Sequence, residues 1–224
     1  MAAFLECGPF SARDGEGRVL FEDATVALPE GCFVSLEGPS GSGKSTLLRQ
    51  LVALDPAPAA HRSLEGARYE DGALCSWRAR VTLLPQDAPM LPRTVRENIS
   101  FPFRQRAGGE RIFDEDRAVR LMTEAGLANL PLDREVRTLS GGERHRLGLV
   151  RGLLWDPSVL VADEPLSGLD PDSAAACFEL LLRFARRPGR MLLCALHYRD
   201  LGAKADRRIL LADGRLSDVP GGAR

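Results

Sequence analysis

Residues 38–46 of this chain read Gly38-Pro39-Ser40-Gly41-Ser42-Gly43-Lys44-Ser45-Thr46. They match the phosphate-binding pattern G-x-x-x-x-G-K-[ST] at every fixed position, with a strand-like apolar run before them and a helix-like run after them. Glycine lets the chain curl so that several N–H groups face one polyphosphate, and the following helix adds its positive dipole end. We therefore expect these nine residues to bind the phosphates of a nucleotide.

Two side chains of this loop have expected chemical roles. Lys44 can reach the β- and γ-phosphates, and the Ser45 hydroxyl can ligate Mg²⁺. Lys44 and Lys204 are the only lysines among 30 basic residues, so this arginine-rich chain has a compact lysine charge where a phosphate would bind. The alternative is a Gly/Ser turn that matches the pattern by chance. The strand before the loop, the helix after it and the choice of lysine argue against this alternative.

Composition limits the classes of function. The chain has 224 residues, 44% of them hydrophobic and 27% charged, which is ordinary for a globular protein. A net charge of −1 does not favour nucleic acid, and no apolar run approaches the roughly 18 residues of a membrane helix. No signal-peptide pattern is present, and the five cysteines show no zinc or C-x-x-C spacing, which favours buried, reduced thiols. Any membrane role is therefore expected to come through a partner.

Apolar runs and turn residues predict an α/β fold with a mostly parallel core sheet. Strands are expected at residues 4–10, 19–28, 32–36, 81–84, 159–162 and 191–196, with a hairpin around residues 213–214. Helices are expected from residue 44, over 114–126, over 140–154, over 170–187 and over 198–205. Residues 55–72 read as loop with one short strand, and residues 87–138 as a mostly helical insert.

An acidic pair, Asp163-Glu164, ends the buried run at residues 159–162. Ligands of parallel sheets gather at the carboxyl ends of strands, where the phosphate loop also lies. There Asp163 can hold Mg²⁺ and Glu164 can polarise an attacking water. The alternative is an exposed acidic pair that only ends the strand. The presence of the phosphate loop argues against this alternative.

A second glycine pair opens a predicted helix at Leu139-Ser140-Gly141-Gly142-Glu143. Two phosphate sites in one chain suggest that one of them serves a nucleotide held by another copy. With this motif the chain resembles the ATP-binding subunits of ATP-binding cassette (ABC) transporters, whose signature reads L-S-G-G-Q. The resemblance implies a P-loop NTPase that binds ATP and Mg²⁺ and dimerises head to tail. It implies that Ser140, Gly141 and Gly142 contact the γ-phosphate bound at the other copy's Lys44.

The remaining assignments come from the same resemblance, which extends from about Leu5 to Leu216. Gln86 matches the glutamine that contacts Mg²⁺ and the attacking water and faces the membrane partner. Residues 167–170 match the loop that crosses the dimer interface, and His197 matches the switch histidine that contacts the γ-phosphate. No aromatic residue stands at positions 11–18, so Phe10 is the nearest candidate to stack on adenine. His61 and His145 match nothing and read as solvated.

These observations predict one ATPase domain over residues 1–224, with a core of 1–86 and 139–224 and a helical subdomain of about 87–138. The expected catalytic residues are Lys44, Gln86, Glu164 and His197, and the expected Mg²⁺ ligands are Ser45, Gln86 and Asp163. The resemblance implies a cytoplasmic subunit, held at the inner face of the membrane by an integral permease that it drives with ATP.

The transported compound is left open. Residues 93–103 resemble the FetA-like group, which is associated with iron export, although other small export ATPases share part of that pattern. A soluble ABC ATPase acting on nucleic acid or ribosomes is the rival reading, and a nucleotide sensor without turnover is a third. Near-zero net charge and the intact Glu164 and His197 weigh against these two.

Overall fold

The computed structural model describes residues 3–58, 60–109, 111–196 and 202–219. Within them lie a four-stranded and a six-stranded sheet. The strands are β1 (Leu5–Arg13), β2 (Val19–Leu28), β3 (Phe33–Glu37), β4 (His61–Leu64), β5 (Ala67–Arg68), β6 (Val81–Leu84), β7 (Val159–Asp163), β8 (Met191–Ala195), β9 (Arg207–Ala212) and β10 (Arg215–Val219). The helices are α1 (Lys44–Leu51), α2 (Leu74–Arg80), α3 (Val95–Ser100), α4 (Glu115–Glu124), α5 (Gly141–Trp155) and α6 (Pro171–Ala185).

The six-stranded sheet has the order β10-β9-β3-β8-β7-β6 and is parallel except for β10. Its central strands are continuous apolar runs because both faces of the sheet are covered. Val159 and Val161 belong to one core cluster, and Leu160 and Ala162 belong to the other. This alternation assigns the two clusters to opposite faces of the sheet.

The helices divide between these two faces. The apolar side chains of α1 and the buried Trp77 of α2 join the cluster that also contains the four-stranded sheet. The apolar side chains of α3, α4, α5 and α6 join the other cluster. Helix α1 and helix α5 therefore lie on opposite sides of the same sheet, a separation that matters for the site.

The four-stranded sheet is antiparallel, with the order β2-β1-β4-β5. Residues 55–72 were expected to hold one short strand, but they hold both β4 and β5. Helix α2 was not expected either. These elements span only two to seven residues, too few for a hydrophobic period to show, and β4 is fixed by pairing with the distant β1.

The segment between β6 and α5 carries the two helices α3 and α4 and several short 3₁₀ turns. Thr94 and Glu97 form a capping box at the start of α3. The Asp114 side chain accepts a hydrogen bond from the Arg117 N–H and caps α4, as its position predicted, and Gly126 follows the helix with φ +72°. The predicted α/β class, with a mostly parallel core sheet, an N-terminal antiparallel β region and a small helical subdomain, is confirmed.

The predicted hairpin is present as β9 and β10, joined by Asp213 and Gly214, which both have positive φ. The first half of the helix expected over residues 198–205, residues 198–201, lies outside the described residues. Across the described part of the chain, no helix is long and apolar enough to span a membrane.

Candidate nucleotide site

The loop between β3 and α1 passes close to the rest of the core. A Cβ at Gly38 would lie 2.2 Å from the Leu211 carbonyl oxygen, and Gly38 has φ +149°. A Cβ at Gly43 would lie 3.1 Å from Leu20 and from the Phe21 ring, and Gly43 has φ +96°. Both positions therefore need glycine for conformation and for space.

Lys44, the first residue of α1, is folded back over this loop. Its Nζ donates hydrogen bonds to the carbonyl oxygens of Gly38 at 2.9 Å and Pro39 at 3.1 Å. The lysine side chain is buried, so its ammonium group lies inside the curve of the loop. A bound phosphate would offer stronger, charged acceptors in place of these neutral carbonyls.

The loop also contains a buried hydroxyl with no partner. Ser42 Oγ makes no hydrogen bond to any described residue, although a buried polar atom normally has one. Helix α1 has no side-chain cap on its first turn, and its N-cap residue Gly43 has a left-handed backbone. A phosphate oxygen would satisfy both the hydroxyl and the N–H groups of the first turn, so the loop suits an anion.

The register of the sheet places the acidic pair near this loop. Asp163 of β7 pairs with Ala195 of β8, and Ala195 pairs with Leu36 of β3. Neighbouring strands lie about 4.8 Å apart, so Asp163 and Leu36 are separated by roughly 10 Å along the carboxyl edge of the sheet. The phosphate loop begins at Gly38, two residues after Leu36. Asp163, the predicted metal ligand, and the phosphate loop therefore lie at the same edge of the sheet.

Glu164 has an unusual backbone. Its φ is +49°, and it precedes Pro165, although non-glycine residues and residues before proline both avoid this region. Such a conformation costs on the order of 1–3 kcal/mol and persists only where neighbours hold it. The Glu164 N–H donates to the Ala195 carbonyl at 3.1 Å, and its carbonyl accepts from the Ser167 N–H at 3.1 Å. Strain of this kind concentrates at functional sites.

The side chain of Gln86 lies beside the loop that follows Glu164. Its side-chain amide lies 3.5 Å from the Ser167 hydroxyl, at the outer limit of a hydrogen bond. Gln86 follows β6, which neighbours β7 in the sheet. The structure thus brings together the segments that follow β6 and β7, both at the carboxyl edge.

Helix α5 packs closely against the segment after Gln86 through two residues, Gly148 and Arg151, that were not predicted from the sequence. The Arg151 guanidinium donates to the Pro89 carbonyl at 2.9 Å, and a Cβ at Gly148 would lie 2.4 Å from Ala88 Cβ. A glycine inside a predicted helix is the one signal that could have indicated this close approach.

The second glycine motif begins α5 with a capping box. The Ser140 N–H donates to the Glu143 carboxylate at 2.7 Å, and the Glu143 N–H donates to the Ser140 hydroxyl at 3.2 Å. The bond from the Ser140 backbone is the largest cause of the lowered pKa of Glu143. Glutamate at the fifth position of the signature therefore makes the reciprocal bonds of S-x-x-E/Q boxes.

The two glycine motifs are not brought together within one chain. Helix α1 packs on one face of the six-stranded sheet, and α5 packs on the other. Helix α5 has 15 residues, so it is about 22 Å long, and it runs back to the start of β7. Its first turn therefore lies towards the carboxyl edge of the sheet, but across the sheet from the phosphate loop.

Phe10, His61 and His145 lie within the described residues. Phe10 is fully buried in the core, so the expectation that it could stack on adenine is wrong. His145 is half-buried and bonded to the Pro165 carbonyl, so the solvated reading of this residue is wrong too. His61 lies 3.4 Å from Glu6, and its ring is partly exposed. His197 lies outside the described residues.

The predicted metal ligands have the chemistry that Mg²⁺ prefers. Ser45 and Gln86 are exposed and Asp163 is half-buried, and together they offer hydroxyl, amide and carboxylate oxygens. The described residues contain no group of three or more His, Cys, Asp and Glu side chains that could hold a metal. A magnesium ion held by Ser45, Gln86 and Asp163 would take its other ligands from the phosphates and from water, as is usual for this ion.

Comparison with known proteins agrees with this geometry. Residues 21–167 match the model of a family described as ABC transporter. The chain is 34% identical to the phosphonates import ATP-binding protein PhnC of Hyphomonas neptunium, covering 91% of this chain and 82% of that protein. It is also 34% identical to the lipoprotein-releasing system ATP-binding protein LolD 1 of Caulobacter vibrioides, covering 95% and 94%.

A solved structure has the same fold. The ATP-binding cassette MJ0796, in a dimeric post-hydrolysis state bound to ADP and Pi, matches 97% of this chain and 100% of its own, with 26% identity and a TM-score of 0.80. With a family model that covers more than half of its length and relatives above 30% identity, this chain belongs to the ATP-binding, ATP-hydrolysing subunits of the ABC transporter family.

Proposed function

We propose that two copies of this chain bind two Mg·ATP between them, head to tail, and that closing and reopening of this dimer drives a separate membrane permease. Each nucleotide would contact residues 38–46 of one copy and residues 140–142 of the other. The observation that carries this proposal is the packing of α1 and α5, the helices that follow the two glycine motifs, on opposite faces of one sheet. A phosphate bound at residues 38–46 of one chain would therefore meet the second glycine motif of another copy, as a head-to-tail pair requires.

Within each site, catalysis would consist mainly of positioning and charge stabilisation. Lys44 and the backbone amides of its loop would hold the β- and γ-phosphates. Ser45, Gln86 and Asp163 would hold Mg²⁺, which neutralises phosphate charge when bound. Glu164 would accept a hydrogen bond from the attacking water, and His197 would contact the γ-phosphate.

A complementation experiment tests the head-to-tail arrangement. Lys44→Ala damages the phosphate loop, and Ser140→Arg places a bulky cation at the second motif, so each variant alone should form only damaged sites. In a mixed pair, both defects fall on one nucleotide and the other site is intact. We expect the mixture to regain ATP hydrolysis and tight ATP retention that neither variant shows alone.

The opposite arrangement predicts a different result. If both motifs acted on one nucleotide within a single chain, mixing the two variants would restore nothing. Each variant alone, at the total protein concentration of the mixture, is the control for concentration-dependent activity. No recovery in the mixture, with both proteins folded, would overturn the proposal.

For the permease, we propose an open, apolar cavity of about 350 Å³ beside the Gln86 segment as the docking site. It lies between α5, β6, α2 and the turn that follows α3, and Phe101 on its lining is partly exposed. The resemblance places both Gln86 and residues 93–103 towards the membrane subunit. Docking here would bind the permease directly to the segment that carries Gln86.

The charges of this cavity indicate the chemistry of its partner. Arg78 and Arg151 line it, and no acidic residue does so among the described residues. Burial lowers the pKa of Arg151, whose described partners are the Pro89 carbonyl and the Met90 sulfur. An apolar permease segment that carries a carboxylate would match this lining, because it would satisfy a partly desolvated guanidinium. Binding in this way would hold the chain at the cytoplasmic face of the membrane.

The proposed cargo depends on the sequence of residues 93–103. The resemblance of residues 93–103 to the FetA-like group favours metal (iron) export, but the structure offers a local reason for part of that pattern. Thr94 and Glu97 form the cap of α3, and the Asn98 side chain bonds Leu91 and the Thr94 carbonyl. Relatives are named for phosphonate import and for lipoprotein release. Iron export predicts that cells lacking this gene accumulate iron and become iron-sensitive, and unchanged iron content would exclude it.

A further inference from the structure

Helix α5 makes a side-chain contact with the loop that carries Glu164. His145 Nε2 lies 2.6 Å from the carbonyl oxygen of Pro165, the residue directly after Glu164. A carbonyl oxygen only accepts hydrogen bonds, so the imidazole must carry its proton on Nε2. Both the neutral Nε2–H tautomer and the imidazolium ion carry this proton and can donate the bond.

The strained backbone of Glu164 needs such a contact. On one side, the Glu164 N–H is fixed by the Ala195 carbonyl of β8. On the other side, the carbonyl of the next residue is fixed by His145. A backbone with φ +49° before a proline relaxes unless its surroundings over-determine it, and these two contacts hold it from both directions.

The histidine is also on a rigid element. Leu147, Leu149 and Val150 of α5 are fully buried in the core cluster, so the helix backbone cannot shift without losing this packing. Near the same turn, Arg146 lies 3.8 Å from Asp170 and also bonds Ser173, which ties α5 to the start of α6. His145 therefore fixes the Glu164 loop to a well-packed helix.

We propose that His145 is a positioning residue for Glu164: it holds the Pro165 carbonyl and thereby the backbone conformation from which the Glu164 side chain projects. The inference rests on the proposed role of Glu164 in hydrolysis. It assigns no contact between His145 and the nucleotide bound at the phosphate loop of its own copy, because α5 packs on the face of the sheet opposite to α1, the helix that follows this loop. Loss of the contact should therefore lower turnover without weakening ATP binding.

Kinetics of matched variants test the role. His145→Leu has similar size but no donor, whereas His145→Gln has an N–H donor of similar reach. We expect His145→Leu to lower kcat by roughly 10–100-fold with KM and the Kd for ATP changed less than about threefold, and His145→Gln to retain most of kcat. His61→Leu is the control, because His61 lies beside Glu6 on the four-stranded sheet. Wild-type kcat in His145→Leu, a parallel loss of ATP affinity, or no rescue by glutamine would each overturn the role.

A measurement on the wild-type chain is independent of variant folding. Two-bond ¹⁵N–¹H NMR correlations report which ring nitrogen of a histidine is protonated. We expect His145 to show a protonated Nε2, and a neutral ring protonated only on Nδ1 would overturn the contact itself. If Glu164→Gln hydrolysed ATP normally while Nε2 of His145 was protonated, the proposed role of Glu164 would fail and the contact would stand.

Discussion

The ammonium group of Lys44 donates a hydrogen bond to the carbonyl oxygen of Gly38, 2.9 Å away across the phosphate loop. A nucleotide would replace this neutral acceptor by phosphate oxygens. Lys44→Ala should therefore lose one charge-assisted contact of about 1.5–3 kcal/mol, or roughly 10–150-fold in ATP affinity measured by calorimetry. Lys204→Ala is the matched control, since Lys204 is exposed and lies 4.0 Å from Glu179. Equal ATP affinity in the two variants would remove Lys44 from the site.

Glu164→Gln should separate binding from hydrolysis. Glutamine keeps the shape of the side chain but cannot accept a proton, so we expect kcat to fall by roughly 10²–10⁴-fold while ATP still binds. The variant should then accumulate an ATP-bound dimer, visible by size-exclusion chromatography with light scattering. Glu16→Gln, at an exposed position in the turn between β1 and β2, controls for loss of a carboxylate. A variant that turns over at the wild-type rate and stays monomeric with ATP contradicts the role.

Cys75 should report occupancy of the docking cavity. It lies on the cavity lining and is exposed, whereas Cys7, Cys32, Cys177 and Cys194 are buried. Burial raises the pKa of Cys7 to about 12 and those of Cys32 and Cys177 to about 11, which leaves them as unreactive thiols. A maleimide should label about one thiol per native chain, and permease binding should protect it.

Two controls make this labelling specific. Cys75→Ser should abolish labelling of the native chain, and denaturant should expose the remaining thiols. If Cys75 reacts equally fast with and without the bound permease, the cavity is not the docking site.

Asp156 should make stability depend on acid pH. Burial by itself would raise its pKa, but hydrogen bonds from Arg190 and Arg187 outweigh this and hold the pKa at about 2. Because the folded pKa lies below that of the unfolded chain, the stabilisation is present above about pH 4 and is lost as pH falls towards 2. Its size at neutral pH is about 2 kcal/mol.

Asp156→Asn tests this contribution, because asparagine tolerates the left-handed backbone that Asp156 adopts at φ +57°. In urea unfolding at pH 7, the variant should be less stable than wild type by about 2 kcal/mol. The difference should shrink as pH falls below about 4. A difference that is constant between pH 7 and pH 3 would show that the carboxylate charge is not the cause.

The capping box of α5 predicts that stability tolerates glutamine at Glu143 but not alanine. Glu143→Gln keeps an acceptor for the Ser140 N–H, so stability and ATP-dependent dimerisation should stay near wild type. Glu143→Ala removes the acceptor and should lower the free energy of unfolding by about 1 kcal/mol in chemical denaturation. Equal stability of the two variants would show that the reciprocal bonds contribute nothing.

Much of the local structure was predictable, because its determinants are neighbours in sequence. The phosphate loop, the Asp114 cap of α4 and the Asp213-Gly214 hairpin each depend on residues within one short segment. The buried strands were predictable as continuous apolar runs. One short strand was expected over residues 55–72, where the structure has both β4 and β5, because two to four residues show no period and β4 exists through its pairing with β1.

The sequence alone determined the family-specific motifs, the α/β class and the order of the elements, because glycine geometry, helix caps and hydrophobic period act over a few consecutive residues. Only the tertiary structure decided that α1 and α5, the helices that follow the two glycine motifs, pack on opposite faces of a sheet, that Phe10 is buried, and that His145 holds the loop of Glu164. These relationships join residues far apart in the chain. They depend on which face of the sheet each helix covers, and that choice is made by packing of the whole core.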